Sequence, residues 1–212
     1  MKNSRMKFPR MKSGSHPLLA LIILGGLAGC AAPEVPKEQY FRLVAAPGDV
    51  HVGKPLDGAV EVPPFDADGV MIERPLLFTA DGGHKLEQRN YAYWTNSPPQ
   101  MLRDQLITYL RAAQIAPQVV ASEMRVDDVK YTIHGTVRRL EQTANPNGGT
   151  IEIELALLEK DSNRLILSKV FHVDQMTNSG KIDDAVMALN EGMNKIYREF
   201  VDLVGNRPAT AG

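Results

Sequence analysis

Three side chains in the second half of the chain have the types and spacing to act together. His134, Glu152 and His172 share one parity of three successive alternating segments. With connecting turns centred near residues 145 and 162, Arg138, Glu152 and His172 lie side by side across three strands, and His134 lies further along the same face. Two imidazoles and a carboxylate are a metal-ligand set, and a bound metal would make this face a hydrolase. The same residues also form a row of opposite charges, and cross-strand pairs of that kind stabilise a sheet by roughly 0.2–1 kcal/mol each. We read the row as salt-bridged. His51 and His84 sit in loop-like contexts. Asp127-Asp128 and Asp183-Asp184 are adjacent pairs whose members point to different sides, and the second suits the first turn of a helix, where acids favour the macrodipole. There is no G-x-S-x-G, phosphate-cradling glycine loop or H-E-x-x-H motif. The expectation is a non-enzymatic protein without a metal or a bound cofactor.

The lone cysteine, Cys30, rules out an intramolecular disulfide framework and multi-cysteine metal clusters. Its surroundings give it other chemistry. Residues 1–29 hold Lys2, Arg5, Lys7, Arg10 and Lys12 and no acid. An apolar run from Leu18 to Leu27 follows, too short to cross a bilayer, which takes about 20 such residues. A cationic start, a short apolar run and small residues describe a secretory signal. Leu27-Ala28-Gly29-Cys30 resembles the bacterial lipobox, whose cysteine receives a diacylglyceryl group before the signal is removed. The resemblance makes Cys30 the lipidated first residue of the mature chain. At about 0.8 kcal/mol per buried methylene, several acyl chains on one residue make a stable anchor. The following residue is Ala31 rather than Asp, which in lipoproteins resembling this one favours the outer membrane.

The whole chain of 212 residues has a formal charge of −1 and offers no electrostatic case for nucleic acid. Five of its 24 basic residues lie in the signal, so the remainder is acidic, 19 against 25. This length holds one ordinary domain and an extra segment. We expect a signal peptide over 1–29, a lipidated tether over 30–39, one domain over 40–205 and a disordered tail over 206–212.

The positioning elements follow from periodicity. Tyr40–Val44 and Ala59–Val62 read as short strands, and Leu76–Thr79 with Lys85–Gln88 as a hairpin around Asp81-Gly82-Gly83. Ser97-Pro98-Pro99-Gln100 predicts a capped helix start, with Leu102, Leu106, Tyr109, Leu110 and Ala113 on one face and Pro117 as its limit. In the next strand Val129, Tyr131, Ile133 and Val137 share a face. Ile151, Ile153, Leu155 and Leu157 point inward from the second strand of this meander, and Leu165, Leu167, Phe171 and Val173 from the third. A final helix from about Gly180 to Val204 carries a stripe through Leu189, Met193, Ile196 and Phe200, read as packing on the sheet rather than as a coiled-coil seam. The fold class is α+β, an antiparallel sheet with two helices packed on one face.

Arg89-Asn90-Tyr91-Ala92-Tyr93-Trp94-Thr95 holds the only tryptophan and lies just before the capped helix. Trp94 suits a plug that fixes the start of the helix and closes the core. Tyr91 and Tyr93 are open to either role, core or docking, since Trp, Tyr and Arg dominate binding hot spots.

A Tyr-Phe-Arg-Leu strand after a lipobox, a hairpin, then Tyr91-Ala92-Tyr93-Trp94 leading into Leu102-Arg103-Asp104-Gln105-Leu106 resembles the ABC-type transport auxiliary lipoproteins, of the paraquat-inducible protein C type. The basic position of that family's aromatic motif is Tyr93 here. The resemblance implies a non-enzymatic accessory at the periplasmic face of the outer membrane. It would serve a transporter with an MCE-domain periplasmic protein as partner, moving lipids or other hydrophobic molecules, as an adaptor or a member of a homo-oligomeric ring. Arg89, Tyr91 and Tyr93 are the expected partner-binding residues. The competing readings are an assembly lipoprotein supporting an outer-membrane β-barrel or the cell wall, and a metal hydrolase on the His134/His172 face.

Overall fold

The computed structural model describes residues 36–80, 83–122, 124 and 128–207. The signal segment, Cys30, most of the tether, Asp127 and residues 208–212 lie outside the described residues. Within them the strands are β1 (Gln39–Phe41), β2 (Ala59–Val62), β3 (Asp66–Ala67), β4 (Pro75–Thr79), β5 (Leu86–Trp94), β6 (Val119–Ala121), β7 (Val129–Ala144), β8 (Asn147–Glu159) and β9 (Arg164–Met176). The α-helices are α1 (Pro98–Ala112) and α2 (Ile182–Gly205).

β7 is the spine. Along one edge it pairs antiparallel with β8, from Tyr131 opposite Glu159 to Ala144 opposite Asn147. β8 pairs antiparallel with β9. Along its other edge β7 takes β2, β3 and β4 in turn, all parallel, at Ala59–Val129, Asp66–Thr136 and Leu77–Glu141. β5 returns antiparallel on β4, β1 lies parallel to β5, and β6 lies parallel to β2. The α+β class with two helices is as expected. The sheet itself is mixed, which corrects the all-antiparallel expectation. Parallel partners need long crossover connections, and no local signal marks which early strand β7 will accept.

The inward residues Ile133, Val137, Ile151, Ile153, Leu155, Leu157 and Phe171 are buried, as their alternation predicts. Two register shifts break that alternation. A bulge between Val137 and Arg139 sets Arg139 opposite Glu152 and turns Leu140 into the core. A second shift sets Leu158 opposite Leu165, which is 56% exposed rather than inward.

Leu102, Leu106, Tyr109 and Leu110 of α1 and Leu189, Met193, Ile196 and Phe200 of α2 share one core with the strands. Each such buried side chain contributes about 1.5–3 kcal/mol relative to exposure. Tyr197 Oη donates to Leu102 O at 2.7 Å, tying α2 to α1. Gly192 lets α2 lie close on β8, since a Cβ there would come within 2.7 Å of Ile151 Cγ2.

Ser97 is the N-cap of α1, but its side chain makes no capping bond. Pro98 and Pro99 carry no N–H, so the usual second-position donor is missing. The segment between β1 and β2 buries Leu43 and Leu56 and is held by helix side chains. The N–H groups of Val44, Ala45 and Ala46 donate to Asn190 Oδ1, Gln105 Oε1 and Asn194 Oδ1 at 2.6–2.7 Å. At the other end of the chain, Arg207 donates to the carbonyls of Lys54 and Pro55, so ordered contacts run past residue 205.

Gly148 gives a direct test of the meander. A Cβ there would overlap the backbone oxygen of Gln175 on β9, which cannot swing aside like a side chain. Gly148→Ala is expected to cost about 1–3 kcal/mol, read as a lower urea midpoint. An unchanged midpoint would contradict the β8–β9 register.

Candidate functional site

The aromatic segment forms the last part of β5 and does not run straight. Three residues of β4, Pro75 to Leu77, face six of β5, Tyr93 back to Gln88. The surplus residues bulge, and bulges re-aim side chains near sheet edges. Tyr91 lies in the bulge at φ +60° and is 40% exposed. Left-handed backbone costs a residue with a Cβ roughly 1–2 kcal/mol.

Beyond the bulge, β5 pairs with β1, setting Tyr40 beside Tyr93 and Phe41 beside Trp94. The Tyr40 and Tyr93 ring centroids are 5.8 Å apart, tilted by 31°. The Arg74 guanidinium carbon lies 5.6 Å from the Tyr40 ring centroid, and Arg74 Nε donates to Trp94 O at 3.0 Å. Tyr40 is 54% exposed, and its hydroxyl donates to Glu38 Oε2 at 2.5 Å, which raises the Tyr40 pKa above its ordinary value. Tyr93, Tyr40 and Arg74 thus make a corner on the β1 side of the sheet, and Tyr91 lies two residues before Tyr93 along β5.

The predicted residues divide. Trp94 is 1% exposed and is the plug that its position suggested. Tyr91 is exposed and Tyr93 half-buried. Arg89 is turned to structural work: its guanidinium carbon lies 3.7 Å from the Phe78 ring centroid, and Nε donates to Gln142 Oε1 at 3.0 Å. Gln142 in turn donates to Gly180 O at 2.9 Å, before α2. Desolvation lowers the Arg89 pKa. Tyr40 and Arg74 were not anticipated. Tyr40 was legible as a strand residue, but its parallel neighbour Tyr93 lies 53 residues away. Cys30 lies outside the described residues.

On the side of β8 and β9 turned away from the core the charged row is real, with one displacement. Glu152 pairs His172 across β8 and β9, with Oε2 2.9 Å from Nδ1. His172 Nε2 lies 3.0 Å from Asp174 Oδ2, and Thr150 Oγ1 donates to Asp174 Oδ1 at 2.5 Å. The bulge in β7 moves Arg138 off Glu152 and onto Glu154 at 2.5 Å. His134 stands opposite Ala156, four residues along β8 from Glu152 and so about 13 Å away at strand spacing. No cluster of three metal-ligating side chains occurs among the described residues.

Asp174 and Glu152 raise the His172 pKa, the hydrogen bond to Asp174 contributing most. That contribution to stability is complete below the unfolded value of about 6.5 and is lost as pH rises through the higher folded value. The side chain is 41% exposed, so screening holds the effect to about 0.5 kcal/mol. Urea midpoints should fall slightly from pH 6 to pH 8, and His172→Gln should flatten the slope. Equal slopes in the two proteins would show that the pair does not contribute.

Comparison with known proteins gives this fold a family. A family model described as the ABC-type transport auxiliary lipoprotein component matches residues 41–201. A Xanthomonas campestris protein is similar in structure at 17% identity, with a TM-score of 0.68 over 79% of this chain and 95% of that one. An uncharacterized protein is similar at 16% identity, with a TM-score of 0.63 over 78% and 97%. A PelC variant crystallised as a dodecamer, from Paraburkholderia phytofirmans, is more distant, at 13% identity and a TM-score of 0.45 over 76% and 95%. No curated protein matches the chain. No helix among the described residues is long and apolar enough to cross a membrane. The matched span takes in every strand except the start of β1 and nearly all of α2, and on that match the chain belongs to the family of ABC-type transport auxiliary lipoprotein components.

Proposed function

We propose that the protein is the lipid-anchored accessory of an MCE-type ABC transport system, held at the periplasmic face of the outer membrane through Cys30. It acts as an adaptor, or as one member of a ring, for a periplasmic MCE-domain protein that carries lipids or other hydrophobic molecules. The family's auxiliary role in ABC-type transport supports this reading. The contact surface is the corner of Tyr93, Tyr40 and Arg74 together with Tyr91, with Arg89 bracing it from Gln142.

The observation that carries this choice of surface is Tyr91. A tyrosine is kept in left-handed backbone, exposed, on a bulge beside the strand that continues from the tether. Strain held at an exposed aromatic points to use of the side chain by something outside the fold, and tyrosine and arginine are enriched in binding hot spots.

Tyr91→Gly separates the two roles. Glycine takes φ +60° without penalty, so the melting temperature should stay level or rise slightly. Capture of the MCE-domain partner from detergent-solubilised envelopes should fall about tenfold or more, the cost of a lost hot spot. Tyr93→Ala should weaken capture in the same direction. Undiminished capture by both variants would remove this corner from the reading.

A further inference from the structure

The sheet curls enough that β4 and β9, separated by β7 and β8, line one cavity of about 350 Å³ at the turn between β7 and β8. That volume lies within the range of about 300–1,000 Å³ usual for small-molecule sites. Its walls include Thr79, Arg139, Asn145, Asn147, Asp174 and Met176. The cavity lies apart from the tyrosine corner, and nothing in the proposed function uses it.

The wall chemistry narrows what could bind. Arg139 already donates from Nε to Glu141 Oε1 at 2.9 Å and from Nη2 to the same oxygen, and Glu141 is buried. Asp174 already holds Thr150 and His172. A free anion would have to compete with Glu141 for the guanidinium. A divalent cation would want several carboxylates or imidazoles together, and no group of three occurs among the described residues. What remains is a set of amides and hydroxyls that both donate and accept. The Pro146 ring and the Met176 side chain add apolar surface to the same wall.

Mixed donors and acceptors, compensated charge and small apolar patches match a ring with hydroxyls on its edge and C–H groups on its faces. We propose that this cavity binds an uncharged saccharide of one or two rings.

The test is saturation-transfer NMR on the full chain, solubilised in a detergent without a sugar head. Glucose, N-acetylglucosamine and maltose serve as separate probes. The expected result is saturable transfer to at least one of them, reduced tenfold or more by Thr143→Trp, which fills the cavity from its wall. Asn145→Ala, at an exposed amide of the same wall, should reduce it in the same way and decides the matter alone should Thr143→Trp fail to melt cooperatively. Absence of transfer from all three sugars, or transfer that both folded variants leave intact, overturns the proposal.

Discussion

Trp94→Ala lowers the melting temperature of the detergent-solubilised protein by about 6–20 °C. Truncating a buried tryptophan costs about 3–5 kcal/mol, and a domain of this size shifts by about 2–4 °C per kcal/mol. Trp94 is 1% exposed within the shared core, and its indole nitrogen has no hydrogen-bond partner, so the loss is one of packing. The effect reaches the proposed docking corner as well. Trp94 N donates to Arg74 O at 2.7 Å, Arg74 returns a bond to Trp94 O, and Phe41 pairs with Trp94 in the β1–β5 ladder. A cavity here therefore loosens Tyr40 and Tyr93 from beneath. Trp94→Phe keeps much of the volume and should cost distinctly less. Thermal denaturation followed by circular dichroism checks both, and a loss below about 1 kcal/mol for Trp94→Ala would contradict the plug.

Cys30→Ser is expected to abolish lipid attachment. The wild-type protein should incorporate labelled palmitate and show the mass of an acylated mature chain. The serine variant should incorporate none, because a hydroxyl cannot take the place of the thiolate as acceptor of the diacylglyceryl group. Anchoring is steep in the number of chains: one acyl chain binds membranes only marginally, and two or more bind stably. The fraction of mature protein sedimenting with membranes should therefore collapse. Equal labelling of the two proteins would place the lipid elsewhere and undo the lipobox reading of residues 27–30.

The parts of this fold that were legible in the sequence are those set by local physics. Ile151, Ile153, Leu155 and Leu157 alternate because β8 lies between two antiparallel neighbours with one face on the core, and all four are buried. The α2 stripe was legible for the same reason at the helical period. Glu152 was placed beside His172 from turn positions alone, and the two are hydrogen-bonded. The misses come from interactions without a local signature. A single extra residue near Arg138 reverses the facing of Leu140 and moves the arginine's partner from Glu152 to Glu154. Parallel pairing brings Tyr40 to Tyr93 across 53 positions, and neither residue announces the other. The aromatic segment could be singled out by composition, yet only its backbone shows that Trp94 faces the core while Tyr91 is held outward at positive φ. Arg89 has the right type for a hot spot, and the sequence gives no sign that its guanidinium lies over the Phe78 ring with Nε bonded to Gln142.

The measurement that bears most directly on the proposed function is a crosslinking pull-down of the lipidated protein from its own envelope, with partners identified by mass. The account predicts an MCE-domain protein together with a permease and an ATPase, and weaker recovery from the Tyr91→Gly variant. Recovery of an outer-membrane β-barrel or a cell-wall enzyme, with no transporter component, would contradict it.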